Sequence, residues 1–367
     1  MNAYDIAVMG GGPAGTAAAI TAARQGARVL LLERSHLPRH KVCGEFVSAE
    51  SLDLLTSLLE NTPQAALLAD APRMYTARIF LDGIVVQASL PAPAASIERY
   101  SLDLALWRAA ESAGADARLQ TRAEKITREN NHWRVQTTAG DLLSRSVVDA
   151  TGRWSNLRSV IAPAKFSVGV KAHFTSNQVE PDTVDLYFLD GGYCGVSRVN
   201  RDEVNLCAML GSAEFQSCRA QPLEHILAAH RDLHQRSLSW RRTTDVVITS
   251  PLVFRPVVAA ADGVLRAGDA AGFIDPFAGD GISLALRSGT LAAEHLRCVW
   301  RNGCNVDLAA RQYADSYRRQ FARLFRRTAL LRRALASPSL LRVMGLGIFH
   351  RGMLDFLIKA TRAAQVS

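Results

Sequence analysis

A glycine-rich turn near the start of the chain has the residue types and the spacing of a phosphate-binding site. Gly10, Gly12 and Gly15 form a GxGxxG pattern, with Pro13 and Ala14 between the last two glycines. In such a pattern the first glycine allows a tight turn, the second lets the backbone approach a pyrophosphate, and the third permits close helix–strand packing. The helix that follows would direct free N–H groups and its positive dipole end at the phosphates.

The elements that must position this turn surround it in the sequence. Residues 5–9 predict a buried strand, the small residues at 16–25 predict a helix, and residues 28–32 predict a second strand. Glu33 follows that strand, about 20 residues beyond the glycines, where an acidic side chain accepts hydrogen bonds from a ribose hydroxyl. These features predict a βαβ nucleotide site that suits FAD and NAD equally.

Two later segments favour FAD. At residues 263–272 an apolar strand leads into a turn with Gly268 and Asp269, and a helix is predicted over 283–294. Another buried strand, at 147–149, ends in small residues that include Thr151 and Gly152. A nicotinamide dehydrogenase requires neither segment, whereas both are similar to parts of the FAD site in glutathione-reductase-type flavoproteins, so the resemblance of three motifs in this order implies an FAD site.

These segments resemble those of the glutathione-reductase-type flavoproteins. With a basic-x-basic-x-Cys-Gly segment at 39–44, the chain is identified as a member of the para-hydroxybenzoate-hydroxylase-like group, closest to its geranylgeranyl-reductase-like branch. The resemblance covers most of residues 1–300. It implies an α/β fold: a glutathione-reductase-type Rossmann FAD domain, an inserted and mostly antiparallel β substrate domain, and a C-terminal helical region.

The domain boundaries expected from this fold divide the chain into three parts. The FAD domain would comprise residues 1–70, 96–165 and 256–300. The substrate domain would comprise residues 71–95 and 166–255, and its sheet would cover the flavin. The C-terminal helices would occupy residues 301–367.

The resemblance also implies which residues contact the cofactor. Asp269 would hold the ribityl chain or the nearby phosphates. The backbone at 279–282 would open a helix towards the pyrimidine edge of the flavin, where the helix dipole stabilises negative charge. Arg39, Lys41 and Arg99 would lie near FAD. The predicted cofactor-binding residues are Gly10, Gly12, Pro13, Ala14, Gly15, Glu33, Arg34, Arg39, Lys41, Cys43, Gly44, Arg99, Ala123, Thr151, Gly152, Gly268, Asp269, Gly279, Gly281 and Ile282.

Three residues are candidates for catalysis. Cys43 would lie near the flavin ring, either as a thiol catalyst or as a small residue that lines the site. Tyr193 occupies the place of the Tyr-x-Trp-x-Phe-Pro segment of prenyl reductases, of which only the tyrosine is present. Asp280 would lie near the flavin or would cap the helix that follows it. The five tryptophans are isolated, whereas flavin halogenases carry Trp-x-Trp-x-Ile-Pro, so halogenation is not expected.

Composition and charge restrict the other function classes. The 367 residues are 48% hydrophobic with a net charge of +9, and many of the arginines lie between 311 and 351. The first residues lack the pattern of a secretory signal, so none is expected; no long uncharged apolar run is present, and the six cysteines show no CxxC or zinc-like spacing. We therefore expect a cytoplasmic protein without a metal site, a structural disulfide or a membrane-spanning helix. Nucleic acid binding is not expected, because aromatic residues do not alternate with the arginines.

The remaining segments predict strands and helices. Residues 221–240 predict one helix with three histidines on it, which are exposed or capping residues because no acidic ligand set accompanies them. Strands are predicted at 167–174, 183–189, 192–199 and 203–210, and a hairpin at 78–88.

The C-terminal region predicts two amphipathic helices. Apolar residues recur every three or four positions from 313 to 335, opposite an arginine-rich face, and a second apolar pattern runs from 341 to 357. Three arrangements fit: the helices pack on the core, line a tunnel for a lipidic substrate, or make peripheral contact with an anionic membrane at its inner face.

Three functions fit the sequence. The first is an NAD(P)H-driven monooxygenase that hydroxylates an apolar aromatic or polyketide-like small molecule. The second is a reductase that saturates C=C bonds of a lipidic, prenyl-like substrate; segments 39–45 and 268–272 favour it, and the missing Trp-x-Phe-Pro disfavours it. The third is a non-catalytic, membrane-associated flavoprotein. No second GxGxxG is present, so NAD(P)H would bind transiently.

Overall fold

The computed structural model of the protein describes residues 3–81, 84–153, 155, 157, 165–176 and 179–335. The predicted helix at 341–357 and the turn of the predicted hairpin at 82–83 lie outside these residues.

The strands and helices alternate in the first part of the chain, and strands dominate the middle. The strands are β1 (Tyr4–Met9), β2 (Val29–Leu32), β3 (Phe46–Val47), β4 (Arg73–Leu81), β5 (Ile84–Ser96), β6 (Asp116–Arg118), β7 (Ala123–Glu129), β8 (His132–Thr137), β9 (Gly140–Asp149), β10 (Ser167–Thr175), β11 (Thr183–Leu189), β12 (Gly192–Arg198), β13 (Glu203–Gly211), β14 (Arg241–Arg242), β15 (Val247–Leu252), β16 (Ala260–Ala261) and β17 (Val264–Arg266). The helices are α1 (Pro13–Arg24), α2 (Ala49–Leu59), α3 (Ala66–Ala69), α4 (Arg99–Ser112), α5 (Ser212–Ser217), α6 (Pro222–Ala228), α7 (Arg231–Ser237), α8 (Gly281–Asn302) and α9 (Val306–Leu335).

The first sheet brings the separate nucleotide motifs to one edge. Its path is β16-β17-β9-β1-β2-β6, with β7 and β8 added through β9. β1 pairs in parallel with both β2 and β9, so Met9 lies opposite Leu32 on one side and Asp149 on the other. Because the carboxyl ends of parallel strands meet at one edge, the segments that follow β1, β2, β9 and β17 converge there.

Buried side chains on both faces of β1 explain its central position. Ile6 and Val8 belong to the hydrophobic cluster that includes α1, α4, α8 and α9, whereas Ala7 and Met9 belong to a second cluster under β7 and β8. The strand is therefore apolar at consecutive positions, as expected for a parallel strand that is covered on both sides.

The second sheet is mostly antiparallel. Its path is β14-β10-β13-β12-β11-β4-β5-β3, with β15 added to β10. The exception is the parallel pairing of β11 with β4. Strands β10 to β13 agree with the four predicted strands to within one residue at each end. The predicted fold class, a Rossmann-type α/β fold with a β-rich insertion and a helical C-terminal region, is confirmed.

The single helix predicted at 221–240 is wrong, because two short helices, α6 and α7, occupy this segment. His230 leaves the helical conformation, with φ −129° and ψ 127°, and its Nδ1 accepts a hydrogen bond from the Asp232 N–H. A capping side chain thus starts a new helix in the middle of the predicted one. His225 contacts Glu214 at 2.7 Å, whereas the His230 ring packs on Tyr187.

The expectation of no structural disulfide is also wrong. Cys298 and Cys304 are bonded, with their Cα atoms 5.5 Å apart. Gly303 ends α8 with φ 66°, a left-handed conformation that favours glycine, and the turn brings the Cys304 N–H within 3.1 Å of the Cys298 carbonyl oxygen. The helix end therefore creates the cysteine pair, which the sequence spacing alone did not indicate.

The long helix α9 packs on the core of the first sheet. Tyr313, Tyr317, Phe321 and Leu324 are buried in its main cluster, and the Tyr313 hydroxyl donates to the Arg266 carbonyl oxygen at 2.7 Å. The described part of the tail therefore packs on the core with one face, and contact of its opposite face with a membrane stays a prediction. None of the helices within the described ranges is long and apolar enough to cross a membrane.

Candidate functional site

A cavity of 590 Å³ lies between the convergent edge of the first sheet and the face of the second sheet. It is lined by all the predicted cofactor-binding residues except Gly15, and by the predicted catalytic residues Cys43 and Tyr193. Asp280 lies between two lining residues but is not part of the wall itself. The tertiary structure therefore brings together segments that begin at residue 9 and end at residue 285.

The three glycines of the first motif have different surroundings. A Cβ on Gly10 would lie 2.2 Å from the Ala150 carbonyl oxygen, and a Cβ on Gly15 would lie 1.8 Å from the Gly10 carbonyl oxygen. These two positions therefore exclude any side chain, and Gly15 serves packing rather than the cavity wall. A Cβ on Gly12 would meet only the Arg99 Nη2 and Lys41 Nζ atoms, each at 3.9 Å.

One buried carboxylate positions both of these cations. Asp103 accepts from Arg99 Nε at 2.7 Å and Nη2 at 2.8 Å, and from Lys41 Nζ at 2.6 Å. Burial alone would raise the pKa of Asp103, but the two cations outweigh that effect and lower it to about 2. Two positive charges against one negative charge leave a net positive site in front of the N-terminus of α1, which suits a pyrophosphate.

Glu33 closes the other side of the glycine turn. Its Oε2 accepts from the Gly11 N–H at 2.9 Å, and its Oε1 accepts from the Ser35 N–H at 3.0 Å. Arg39 Nη2 lies 3.5 Å from the same Oε1, while its Nε is buried and has no hydrogen-bond partner within the described part of the chain. Since a buried donor without a partner is costly, Arg39 is suited to a ligand with acceptor oxygens.

The distal half of the cavity is formed by the segments after β17. Asp269 lies in the wall with Arg153 Nε 3.8 Å away, and burial raises the pKa of Asp269. Gly279 has φ 71°, and a Cβ on Gly281 would meet no atom within 4 Å, so the first turn of α8 opens on the cavity. Asp280 makes no side-chain capping bond to α8, so the predicted capping interaction is absent.

FAD fits this arrangement at both ends. The backbone at Gly12 is open between two cations, Arg39 offers an unsatisfied donor, and the N-terminus of α8 faces the far end of the same cavity. A helix N-terminus at that position would stabilise negative charge on a bound flavin.

The part of the cavity wall near the second sheet is mainly apolar. Its side chains include Ile79, Leu90, Val184, Leu186, Val196, Met209, Leu252, Phe273 and Phe277. Within this wall the Tyr193 hydroxyl donates to Asp275 Oδ1 at 3.1 Å. Burial and the nearby carboxylate raise the pKa of Tyr193 well above its usual range, and burial raises the pKa of Asp275. Tyr193 therefore lines an otherwise apolar wall, and its hydrogen-bond partner Asp275 is buried but is not itself a lining residue.

Several site residues were missed by the sequence analysis. Asp103 follows Arg99 by four residues on one helix, a spacing that pairs opposite charges and that could have indicated it. Cys207 lies on β13 and lines the same cavity as Cys43. Burial, with a smaller contribution from the neighbouring Cys43, raises the pKa of Cys207 to about 12. Neither Cys207 nor Asp275 had a local sequence signal, because their partners are distant along the chain.

Comparison with known proteins agrees with this site. The profile of the family described as FAD dependent oxidoreductase matches residues 5–242. The chain belongs to this family, and it is an FAD-dependent oxidoreductase. This confirms the predicted cofactor FAD and the predicted enzyme class.

The similar proteins include reductases and halogenating enzymes. The menaquinone reductase of Mycobacterium tuberculosis is 28% identical, over 90% of this chain and 84% of its own length. The digeranylgeranylglycerophospholipid reductase of Methanoculleus marisnigri is 28% identical, over 83% and 80%. Among solved structures, a geranylgeranyl bacteriochlorophyll reductase-like protein of Thermoplasma acidophilum has a TM-score of 0.80 at 22% identity, covering 98% of this chain and 96% of that one. A flavin-dependent brominase has a TM-score of 0.80 at 19% identity, covering 98% and 93%.

Proposed function

We propose that this oxidoreductase saturates carbon–carbon double bonds of an apolar, isoprenoid-like substrate, with NAD(P)H as the reductant. The observation that carries the proposal is Tyr193 in the apolar wall of the cavity, hydrogen-bonded to the buried Asp275. Saturation of a double bond requires a proton donor at one carbon, and this wall offers a phenol that stays protonated at neutral pH. An apolar wall also suits a hydrocarbon chain, which needs no hydrogen-bond partners.

The chain's residues would perform three tasks in this reaction. When bound and reduced, FAD supplies the electron pair. Arg99, Lys41 and the glycine turn hold the cofactor phosphates, and the side chains of the second sheet exclude water from the substrate. Tyr193 would donate a proton to the substrate carbon, Asp275 would orient the hydroxyl as its hydrogen-bond acceptor, and a proton from solvent would restore the phenol when the product leaves. Overall, NAD(P)H, one proton and the alkene give NAD(P)⁺ and the saturated product.

The similar reductases support this choice over hydroxylation. A menaquinone reductase and several digeranylgeranylglycerophospholipid reductases match most of this chain, and their names indicate isoprenoid-bearing substrates. Menaquinone and digeranylgeranylglycerophospholipid are accordingly the first probes to use.

The decisive experiment compares product mass with and without oxygen. Purified holoenzyme is incubated with NAD(P)H and each probe, anaerobically and in air, and the products are analysed by mass spectrometry. We expect a gain of two hydrogens per reduced bond without oxygen consumption. A gain of one oxygen atom, dependent on air, would instead support the predicted monooxygenase. NAD(P)H oxidation that no probe stimulates would favour the non-catalytic alternative.

We also propose that the enzyme meets its substrate at an anionic membrane surface, as a peripheral protein on the cytoplasmic side. The exposed face of α9 carries a row of arginines at spacings of four and three residues, Arg319, Arg323 and Arg326. A basic helix face of this kind is attracted to anionic lipids, and a membrane would deliver an apolar substrate.

A further inference from the structure

A fully buried carboxylate lies in the loop that follows the cofactor-binding cations. Glu45 has φ 58°, an uncommon conformation for a residue other than glycine, and its side chain is inaccessible to solvent. It receives a hydrogen bond from Lys171 on β10, one from His173 Nε2 at 2.9 Å, and one from the Arg99 N–H at 2.8 Å. Three segments distant in sequence therefore meet at one carboxylate.

The partners of Glu45 keep it ionised. Lys171 and His173 are each only 1% exposed. Burial alone would raise the pKa of Glu45, but the hydrogen bond from His173 and the charge of Lys171 outweigh this effect and lower it. An ionised buried carboxylate binds its donors strongly, and removal of a donor leaves an uncompensated charge.

Glu45 acts on the cofactor site through helix α4. The residue before this helix, Glu98, makes no side-chain capping bond, and the Glu45 carboxylate accepts the N–H of Arg99 instead. The backbone joins them as well, since the Ile97 N–H donates to the Glu45 carbonyl oxygen at 2.8 Å. The Arg99 side chain then reaches the open backbone at Gly12.

The other side of the same loop is fixed to the second sheet. Asn205 Nδ2 on β13 donates to the Cys43 carbonyl oxygen at 3.0 Å, and Lys171 and His173 belong to the neighbouring strand β10. The loop that lines the cavity between Arg39 and Phe46 is thus held between the two sheets by Glu45 and its partners.

We propose that Glu45 is a positioning residue for FAD: with Lys171 and His173 it fixes the start of α4 and the loop at 39–46 in the geometry that binds the cofactor. None of these three residues was predicted from the sequence as part of the site. The proposal concerns cofactor binding and does not depend on which reaction the enzyme catalyses.

Other titratable groups surround this cluster. His40 lies in the same loop, with its ring centroid 5.5 Å from that of His173, and burial together with the Lys171 charge lowers the pKa of His40. Cys207 on β13 experiences the charges of both Lys171 and Glu45. At neutral pH His40 is neutral and Cys207 is protonated, so neither adds a charge beside Glu45. The negative charge of Glu45 is therefore balanced by Lys171, and His173 adds a hydrogen bond.

The test measures FAD binding by the refolded or FAD-stripped full-length protein, by flavin fluorescence titration. Glu45→Gln keeps the shape of the side chain and removes its charge, and we expect FAD affinity to fall roughly tenfold or more. Lys171→Met and His173→Gln should weaken binding in the same direction. The control is Glu214→Gln, which disrupts the partly exposed Glu214–His225 pair outside the cavity and should leave FAD affinity unchanged.

A pH series separates positioning from a general loss of stability. In the wild type the low pKa of Glu45 should keep FAD affinity nearly constant from pH 8 to about 5.5. In Lys171→Met the pKa of the buried carboxyl should rise, so that FAD affinity falls as the pH is lowered. Wild-type affinity and flavin spectrum in Glu45→Gln would overturn the proposal. If that variant does not fold, a flat pH profile in Lys171→Met would overturn it equally.

Discussion

The most discriminating prediction for the cofactor site is Gly12→Val. Gly12 has φ −84° and ψ −179°, an extended conformation that a β-branched residue adopts without strain. Its Cβ would meet no protein atom closer than 3.9 Å, and the nearest atoms are the ends of two long side chains, so small shifts of these side chains should accommodate valine in the FAD-free protein. The added side chain would instead occupy the space between Arg99 and Lys41, where we expect the pyrophosphate to bind.

The magnitude follows from the contacts that would be lost. Displacement of the pyrophosphate from two cations removes at least two charge-assisted hydrogen bonds, each worth roughly 1.5–3 kcal/mol. FAD binding should therefore weaken by ~3–6 kcal/mol, which is about a hundredfold to ten-thousandfold in Kd. The melting temperature of the FAD-free protein should change by only a few degrees.

The matched comparison is Gly15→Ala, which adds a smaller group at a closed position. A Cβ there would lie 1.8 Å from the Gly10 carbonyl oxygen, so the turn must shift and the FAD-free protein should lose stability. Kd is measured by fluorescence titration, and melting of the FAD-free proteins by circular dichroism. Wild-type FAD affinity in Gly12→Val, or a loss of stability equal to that of Gly15→Ala, would refute this assignment of the two glycines.

Three further predictions concern the charges and the proton donor. Asp103→Asn should weaken FAD binding. In the wild type the Asp103 carboxylate stabilises the fold fully above its unfolded pKa of about 3.9, and this stabilisation is lost as the pH falls towards about 2. Urea unfolding at a series of pH values should show this loss in the wild type and not in the variant. Tyr193→Phe should lower kcat about a hundredfold or more while FAD affinity is retained, measured by anaerobic turnover and by titration; unchanged kcat would exclude the proposed proton donor. A triple variant should sediment less with phosphatidylglycerol vesicles than the wild type does, with Ala in place of Arg319, Arg323 and Arg326. Neutral phosphatidylcholine vesicles serve as the control. Equal binding of the variant and the wild type to the anionic vesicles would contradict the membrane proposal.

Features that depend on short stretches of chain could be predicted from the sequence. The turn at Gly10–Gly15 could be predicted because its residue types respond to local requirements: a tight bend, a close approach of the backbone and the start of a helix. The strands β10 to β13 were predicted to within one residue because their apolar patterns and turn residues are also local. FAD as cofactor followed from the order of three such motifs.

The division of one predicted helix and the formation of a disulfide depended on the backbone conformation of single residues between elements. The segment at 221–240 has the composition of one helix, yet a capping bond from His230 divides it. Likewise, Cys298 and Cys304 became a disulfide because Gly303 reverses the chain at the end of α8. In both cases a single local conformation, set by competition between the helix and a side chain or a glycine, decided the outcome.

The way in which the separate motifs form one site depends on contacts between distant parts of the chain. Parallel pairing of β1 with β2 and β9 places Gly12 beside Arg99 and Lys41, and one buried carboxylate, Asp103, fixes both cations. Glu45 meets Lys171 across 126 residues of sequence. Such contacts have no periodicity or spacing that reveals them, because the favourable interaction of buried opposite charges depends on distance in space and on the exclusion of water.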